Sequence, residues 1–482
     1  MTGVLLALAL GVSLVSITPE PPCPTLTGAS LSARAIYFRL SPSDVPEWRR
    51  MVVDDYMAHA TRPAPLVVES IAAVAFVATG RESVWTARVL SVIYWVTGGI
   101  FVIAAARRLT TPTGGLLAGL VFLFLPWALT QSRSFQPDAF AVLCLCGSLL
   151  AILRFDSDAT TRRLIVAALA TGLAVFVRFM TGFFLVPVFV ALGMRRHGVV
   201  RVLARRETLA YIATAIAPTA LYYLYGLATD PLLTRRAQAV LVPSLYLQPG
   251  FWASWGAMIG TTVTWPVFLG ALATVWWTPR GAPRVALLAM WLGYVAYGLV
   301  FNFHIATHPY YQTLGVPMLA LSLAPLGRPL DRASPMVRGL ALAALMAALL
   351  FAAVRGSALS DPDHRGQIEE YRRIGGVTRH TLRAVMLTEC WTMPLRYYGE
   401  VSGRYWPTQA EIDVYRPLGE HGIPDVDPAR RLASLARDMG AADYFVITDL
   451  AEFDRQPALQ RLLNERYRLL MKSARSAVYD LR

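Results

Sequence analysis

Ser132-Arg133-Ser134-Phe135-Gln136-Pro137-Asp138 stands between two long apolar segments, 115–130 and 139–153. An arginine and an aspartate five residues apart, where one membrane span should end and the next begin, are costly to place without a task. The stretch reads as the rim of an active site at a membrane surface. The rest of the chain is then what holds that rim and what else projects into it.

Composition sets the solvent. Of 482 residues, 55% are hydrophobic and 16% charged, and the mean hydropathy is +0.46. A soluble domain carries about a quarter charged residues, so this chain reads as an α-helical polytopic membrane protein. The net charge of +14 would suit nucleic acid in a soluble protein. Here the arginines gather in short loops between apolar segments, which the positive-inside rule explains, so the expected partner is the lipid bilayer and not nucleic acid. Cys144 and Cys146 lie within an apolar span and read as packing residues. A bridge between Cys23 and Cys390 stays open, and no zinc-type spacing is present.

Residues 1–18 are apolar and just long enough to span. The start of the segment carries no Lys or Arg and the A-x-A pattern is missing, so an uncleaved first span fits better than a signal peptide. Residues 19–64 form a polar loop with helical spacing at 31–40 and 46–60, and 66–79 is a short apolar helix carrying Glu69. All three are expected to lie at the interface. Spans two to eleven follow at about 84–106, 115–130, 138–153, 164–177, 180–194, 208–227, 259–278, 285–303, 311–326 and 337–354. About eleven spans thus make up a transmembrane domain over 1–355, with 19–83 as its first outer loop. Residues 356–482 change character: Gln367–Arg373 and Pro428–Met439 read as amphipathic helices, and Ala384–Leu387, Tyr444–Thr448 and Ala477–Leu481 as strands. That alternation predicts a small C-terminal α/β domain.

With the N-terminus inside, every dense arginine cluster between spans, at 107–108, 162–163, 195–206, 280–284 and 328–338, falls in the cytoplasm. The first loop, Arg133–Asp138, Arg178, His304–Gln312 and the C-terminal domain then lie outside. Arg235-Arg236 is a basic pair on the wrong side, and such a pair is a candidate for binding phosphate. Asp54, Asp55, Arg88, Arg133, Asp138, Arg178, His304 and His308 converge on the outer face, and the cytoplasmic loops offer no comparable set of carboxylates. Plainer roles stand beside these. Asp138 follows Pro137 in a first helical turn, where the dipole favours an anion. Arg88 can snorkel to headgroups, Arg178 can meet them from a tight turn, and Tyr310-Tyr311 can belong to an aromatic belt.

Four stretches resemble the GT-C superfamily of polytopic glycosyltransferases, and within it glycosyltransferase family 39, the protein-O-mannosyltransferase and aminoarabinose-transferase type with its many bacterial relatives. Arg62-Pro63-Ala64-Pro65-Leu66 is similar to the family's Pro-Pro-Leu start of an interfacial helix. Glu82-Ser83-Val84-Trp85-Thr86-Ala87-Arg88 is similar to its W-x-A-R start of the second span. Ser132-Arg133 through Pro137-Asp138 resembles its S-R-…-P-D junction, and His308-Pro309-Tyr310-Tyr311-Gln312 its H-x-Y-Y-Q stretch.

The resemblance implies transfer of a sugar from a polyprenyl-phosphate-linked donor, on the outer face of a bacterial cytoplasmic (inner) membrane, to an unknown acceptor. A phosphate leaving group carries its own charge and needs cations more than a general acid. Arg88, Arg133, Arg178, Arg235 and His308 are candidates to hold it, with Tyr311 and Gln312 beside them. The acceptor needs a base, and a carboxylate can serve. Relatives usually carry an acid soon after the first span, whereas here no acid lies between Cys23 and Leu40. The role passes to Asp54 or Asp55, after Asp44 and Glu47, with Asp138 as the second acidic site residue. Arg178 stands where relatives often have lysine, and Ala64 interrupts the proline pair. No cofactor is required on this reading; a divalent cation at the loop-one carboxylates stays open. Two other classes are weighed against it: a transporter or flippase of a lipid-linked or anionic substrate, and a non-catalytic membrane assembly protein. Transporters tend to place charges near the midplane and to show paired repeats. Neither is clear in this chain.

Overall fold

The computed structural model describes residues 2–17, 28–41, 45–59, 64–230, 233, 240–356, 359, 364–415 and 427–482. Cys23, Asp44, Arg62-Pro63 and Arg235-Arg236, all invoked above, lie outside the described residues. The chain divides into two compact units: Met1–Ile17, Arg62–Val68 and Arg88–Asp361 in one, and Thr18–Thr61, Glu69–Ala87 and Pro362–Arg482 in the other.

The chain is a multi-pass membrane protein. Among the described residues, five helices are long and apolar enough to cross a bilayer: Val84–Leu109, Pro137–Ser157, Phe179–His197, Ala282–Val300 and Pro335–Arg355. The number rises to seven if two bent pairs each count as one span. The expectation of about eleven also counted segments that the structure holds as shorter or more polar helices. Thr2–Val15 and Thr161–Val177 are short. Arg206–Thr229 is diluted by Thr, Tyr and Pro. The expected tenth span alternates between 3₁₀ and α geometry through Pro309–Gly315, Val316–Leu323 and Ala324–Leu326.

Proline explains both bends. Pro112–Phe124 and Pro126–Ser132 meet at 63°. Pro126 has no N–H to continue the ladder, and it pushes Leu125 into extended backbone (ψ 132°). Pro249–Thr262 and Trp265–Trp277 meet at 93°. Thr264 there has φ 64°, and Pro266 opens the second helix from its first turn. The expected eighth span therefore starts at Pro249, inside what the sequence reads as outer loop, and breaks in the middle.

In the first unit Pro137–Ser157 packs along Thr161–Val177, Thr161–Val177 along Arg206–Thr229, and Phe179–His197 along Ala282–Val300. The last contact is close because Gly293 has no side chain: a Cβ there would overlap the Phe183 carbonyl. Ile165, Val166, Leu169 and Leu173 on one of these helices stay exposed, as do Leu340, Phe351 and Val354 on Pro335–Arg355. Large apolar side chains left outside on these helices suit lipid. Cys144 and Cys146 carry free thiols, and Cys146 is buried.

The second unit contains three short helices, Gly28–Leu40, Glu47–His59 and most of Val67–Thr79, together with the C-terminal sheet. Its strands are β1 (Ala384–Leu387), β2 (Gly403–Tyr405), β3 (Tyr444–Ile447), β4 (Arg468–Lys472) and β5 (Ala477–Asp480), in the order β2-β1-β3-β5-β4. β1 is parallel to β2 and β3, whereas β5 is antiparallel to β3 and β4. The side chains alternate with period two. Val385, Leu387, Phe445 and Ile447 pack against Leu432, Leu459 and Leu463 on one face. Ala384, Met386, Tyr444 and Val446 pack against Tyr371 and Ile374 on the other. The sequence reading finds β1, β3 and β5 and both flanking helices. It misses β2, only three residues long, and β4, which is mostly exposed. Cys390 is disulfide-bonded.

Candidate active site

The first cluster is set by a helical hairpin. Pro137–Ser157 and Thr161–Val177 are joined by a short turn and packed along each other. The first turn of one therefore meets the last turn of the other. Asp138 sits in that first turn, and Arg178 ends the second helix in extended backbone (φ −146°, ψ 101°). Arg178 Nη2 donates to Asp138 Oδ2 at 2.6 Å, with the side chains 15% and 6% exposed. Arg178 Nε is buried and has no hydrogen-bond partner among the described residues.

Arg88 and Arg133 brace the same stretch. Arg88 is fully buried near the start of Val84–Leu109, and its Nε donates to the Arg133 carbonyl at 2.7 Å. Arg133 donates from Nε to the Leu129 carbonyl at 3.2 Å and from Nη1 to the Ser16 carbonyl at 2.9 Å. The carboxylate of Asp138 is thus held by Arg178, while these bonds of Arg133 run to backbone.

Pro309–Gly315, which carries most of the His308–Gln312 stretch, packs against Pro137–Ser157. Gln312 is buried; its carbonyl oxygen accepts from Tyr294 Oη at 2.8 Å and its amide reaches the Ile305 carbonyl at 3.5 Å. Tyr297 Oη donates to the Tyr311 carbonyl at 3.2 Å. The Tyr311 ring stacks on Tyr297 and on His304. Tyr297, Tyr311, Asp138 and Arg178 are near enough to interact electrostatically. His308 Nδ1 meets Thr307 Oγ1 at 2.7 Å.

The loop-one carboxylates lie in the second unit and differ from each other. Asp54 is exposed and pairs with exposed Arg39 at 3.2 Å, an arrangement worth little in water. The Asp55 side chain is 19% exposed, and its Oδ1 faces His59 Nδ1 at 3.3 Å. Its Oδ2 accepts from Ser402 Oγ at 2.5 Å. Ser402 Oγ in turn accepts from Arg396 Nη1 at 2.7 Å. Burial brings the Arg396 guanidinium down to about 10, against the pull of Tyr56 and Asp55.

Sequence reasoning missed a buried ionic group in this unit. Arg34 Nε meets Glu82 Oε1 at 2.7 Å, its Nη1 donates to the Tyr397 carbonyl at 2.7 Å, and its guanidinium lies 3.6 Å from the centre of the Tyr397 ring. Tyr397 Oη donates to Glu82 as well. Glu400 lies 3.8 Å from Arg34 and accepts from Arg49 Nε at 2.6 Å. Burial opposes the charge on Arg34, but Glu82, Tyr397 and Glu400 outweigh it and hold its pKa above the ordinary range. The available signal was Arg34 itself, a charge following the uncharged stretch Gly28-Ala29-Ser30-Leu31-Ser32-Ala33. Among the described residues no group of three or more His, Cys, Asp or Glu side chains could hold a metal ion.

Residues 63–223 match the model of the family described as dolichyl-phosphate-mannose-protein mannosyltransferase. That range contains Arg88, Arg133, Asp138 and Arg178. In fold the chain is similar to ArnT from Cupriavidus metallidurans bound to undecaprenyl phosphate, at 15% identity over 99% of this chain and 97% of that one, with a TM-score of 0.59. It is also similar to the archaeal oligosaccharyltransferase AglB from Archaeoglobus fulgidus in complex with an inhibitory peptide and a dolichol-phosphate, at 12% identity over 95% of this chain and 71% of that one, with a TM-score of 0.57. No curated protein matches the sequence. In fold, therefore, the chain is similar to the membrane proteins ArnT and AglB, and its residues 63–223 match the protein mannosyltransferase family model.

Proposed function

We propose that this chain is a membrane glycosyltransferase that moves a sugar from a polyprenyl-phosphate-linked donor to an acceptor, on the outer face of the cytoplasmic membrane and with inversion at the anomeric carbon. The observation that carries the reading is the buried Asp138–Arg178 pair, 2.6 Å apart, inside the segment that matches the mannosyltransferase family. Two proteins of the same fold support it, ArnT with undecaprenyl phosphate and AglB with a dolichol-phosphate.

On this reading the donor phosphate approaches Arg178, whose Nε still has a bond to give. A phosphate that draws the guanidinium toward itself loosens its hold on Asp138 and leaves that carboxylate free to accept a hydrogen bond from the acceptor. An acceptor hydroxyl or amine then attacks C1, its proton passes to a carboxylate, and the C1–O bond to phosphate breaks with the electron pair leaving on the polyprenyl phosphate. Arg88 and Arg133 hold the 132–138 stretch in place, and His308, Tyr311 and Gln312 border it. Asp138 and the loop-one pair are the candidates for the base. Of Asp54 and Asp55, Asp55 is the more enclosed. Residues 1–355 form the transmembrane domain and 356–482 a domain outside.

The test is transfer of labelled hexose or pentose from polyprenyl phosphate by the full chain in a bilayer. The wild type transfers sugar, and D138N loses transfer. Full transfer by D138N, with loss in D55N, moves the base to loop one. Wild-type protein that carries the lipid across the bilayer and transfers no sugar overturns the reading in favour of a flippase.

A further inference from the structure

The C-terminal sheet contains a feature that sugar transfer as described leaves unused. β1 and β3 are adjacent and parallel. The chain leaves β1 toward β2 on one side and β3 toward β5 and β4 on the other. In open α/β sheets such a parting of loops opens a crevice beyond the carboxyl ends of the strands, where ligands bind. The crevice is present, with a volume of about 350 Å³. Glu389 just past β1, Thr448 and Asp449 just past β3, Gln367 and Tyr371 from Arg365–Val377, and Arg475 from the β4–β5 turn line it.

One further observation falls on the crevice wall, and others lie beside Glu389 in the chain. Thr388, between β1 and Glu389, is 3% exposed; its hydroxyl and the Nε2 of His364 on the crevice wall are buried with no partner among the described residues. Cys390, Trp391 and Thr392 follow with φ of 53°, 57° and 69°, and strained non-glycine backbone of this kind concentrates at ligand clamps. Trp391 is 54% exposed, and its ring stacks on Tyr405 with centroids 5.6 Å apart.

The side chains select the ligand. A carboxylate stands just beyond each strand, at Glu389 and Asp449, and neither turn is glycine-rich, so a phosphate or nucleotide meets repulsion and no cradle. Carboxylates that accept, together with Arg475, Gln367 and His364 that donate, suit hydroxyls, which do both. We infer that the crevice between β1 and β3 binds a saccharide, and that through it the C-terminal domain recognises the glycan part of the acceptor. Assigning the saccharide to the acceptor rests on the glycosyltransferase reading; the binding itself does not.

Saturation-transfer NMR on the full chain in nanodiscs tests this, with methyl glycosides of mannose, galactose, glucose and arabinose as probes and ADP as control. At least one glycoside binds, ADP does not compete, and E389Q and R475A each weaken binding by about tenfold with unchanged melting temperature. Absence of binding by every glycoside, binding unaffected by both crevice variants, or competition by ADP overturns the inference. Crevice-dependent binding in a chain that transfers no sugar overturns the transferase reading and leaves saccharide binding standing.

Discussion

Arg178 Nη2 lies 2.6 Å from Asp138 Oδ2, the end of one helix held against the beginning of its neighbour. Both side chains are nearly out of water. Neither charge is tolerable there alone, so the hairpin and the pair stabilise each other.

Removing one partner leaves an uncompensated buried charge, at a cost of about 3–5 kcal/mol. We therefore expect D138N and R178Q each to lower the melting temperature in detergent. The double variant should be less destabilised than the sum of the two, because it leaves no orphaned charge. Additive losses would mean that the pair is not coupled.

Gly293 lets Ala282–Val300 approach the Phe183 carbonyl. G293A forces the helices apart and should cost about 1–3 kcal/mol, read as a fall in melting temperature. G339A is the control, since nothing lies within 4 Å of a Cβ placed there, and it should melt like the wild type.

The Arg34–Glu82–Tyr397 group joins loop-one helices to the C-terminal part of the second unit. R34Q should leave Glu82 without its cation and speed amide exchange in Gly28–Leu40 and around Tyr397. Arg39 and Asp54 form an exposed pair, and D54N should leave exchange unchanged to within the small worth of a surface ion pair. Equal protection in wild type and R34Q would refute the linkage.

Glu370 accepts from Ser473 Oγ at 2.5 Å and also from Ser476 in the β4–β5 turn. Burial pushes its carboxyl up, but the two serine hydroxyls and Arg373 outweigh that and hold it below the ordinary value of 4.5. A depressed carboxyl contributes stability that is fully present above 4.5 and is lost as pH falls through the folded value. The melting-temperature gap between wild type and E370Q should therefore be constant near neutrality and shrink on acidification below that point. A gap that widens in acid would reverse the sign.

Several elements were legible in residue order because the physics behind them is local. The two bends were not among them: the spans expected at 115–130 and 259–278 ran straight through Pro126 and Pro266, and the breaks appear only in the folded chain. β1, β3 and β5 announce themselves by short runs of β-forming residues, and the helix at Pro428–Asp438 by its apolar spacing. β2 and β4 lack such runs and exist by pairing with strands already in place.

The site divides along the same line. Hydropathy, arginine placement and the stretch from Ser132 to Asp138 were enough to read a polytopic membrane protein and to single out Asp138, because the cost of a charge beside a bilayer depends on local sequence. Which charge answers which was a matter of tertiary structure. Arg178 is forty residues from Asp138 in sequence, Arg88 is forty-five from the Arg133 carbonyl it holds, and Arg34 is 363 from the Tyr397 carbonyl. Only helix packing brings such groups within bonding distance, and an ion pair has no periodicity by which a linear pattern could reveal it.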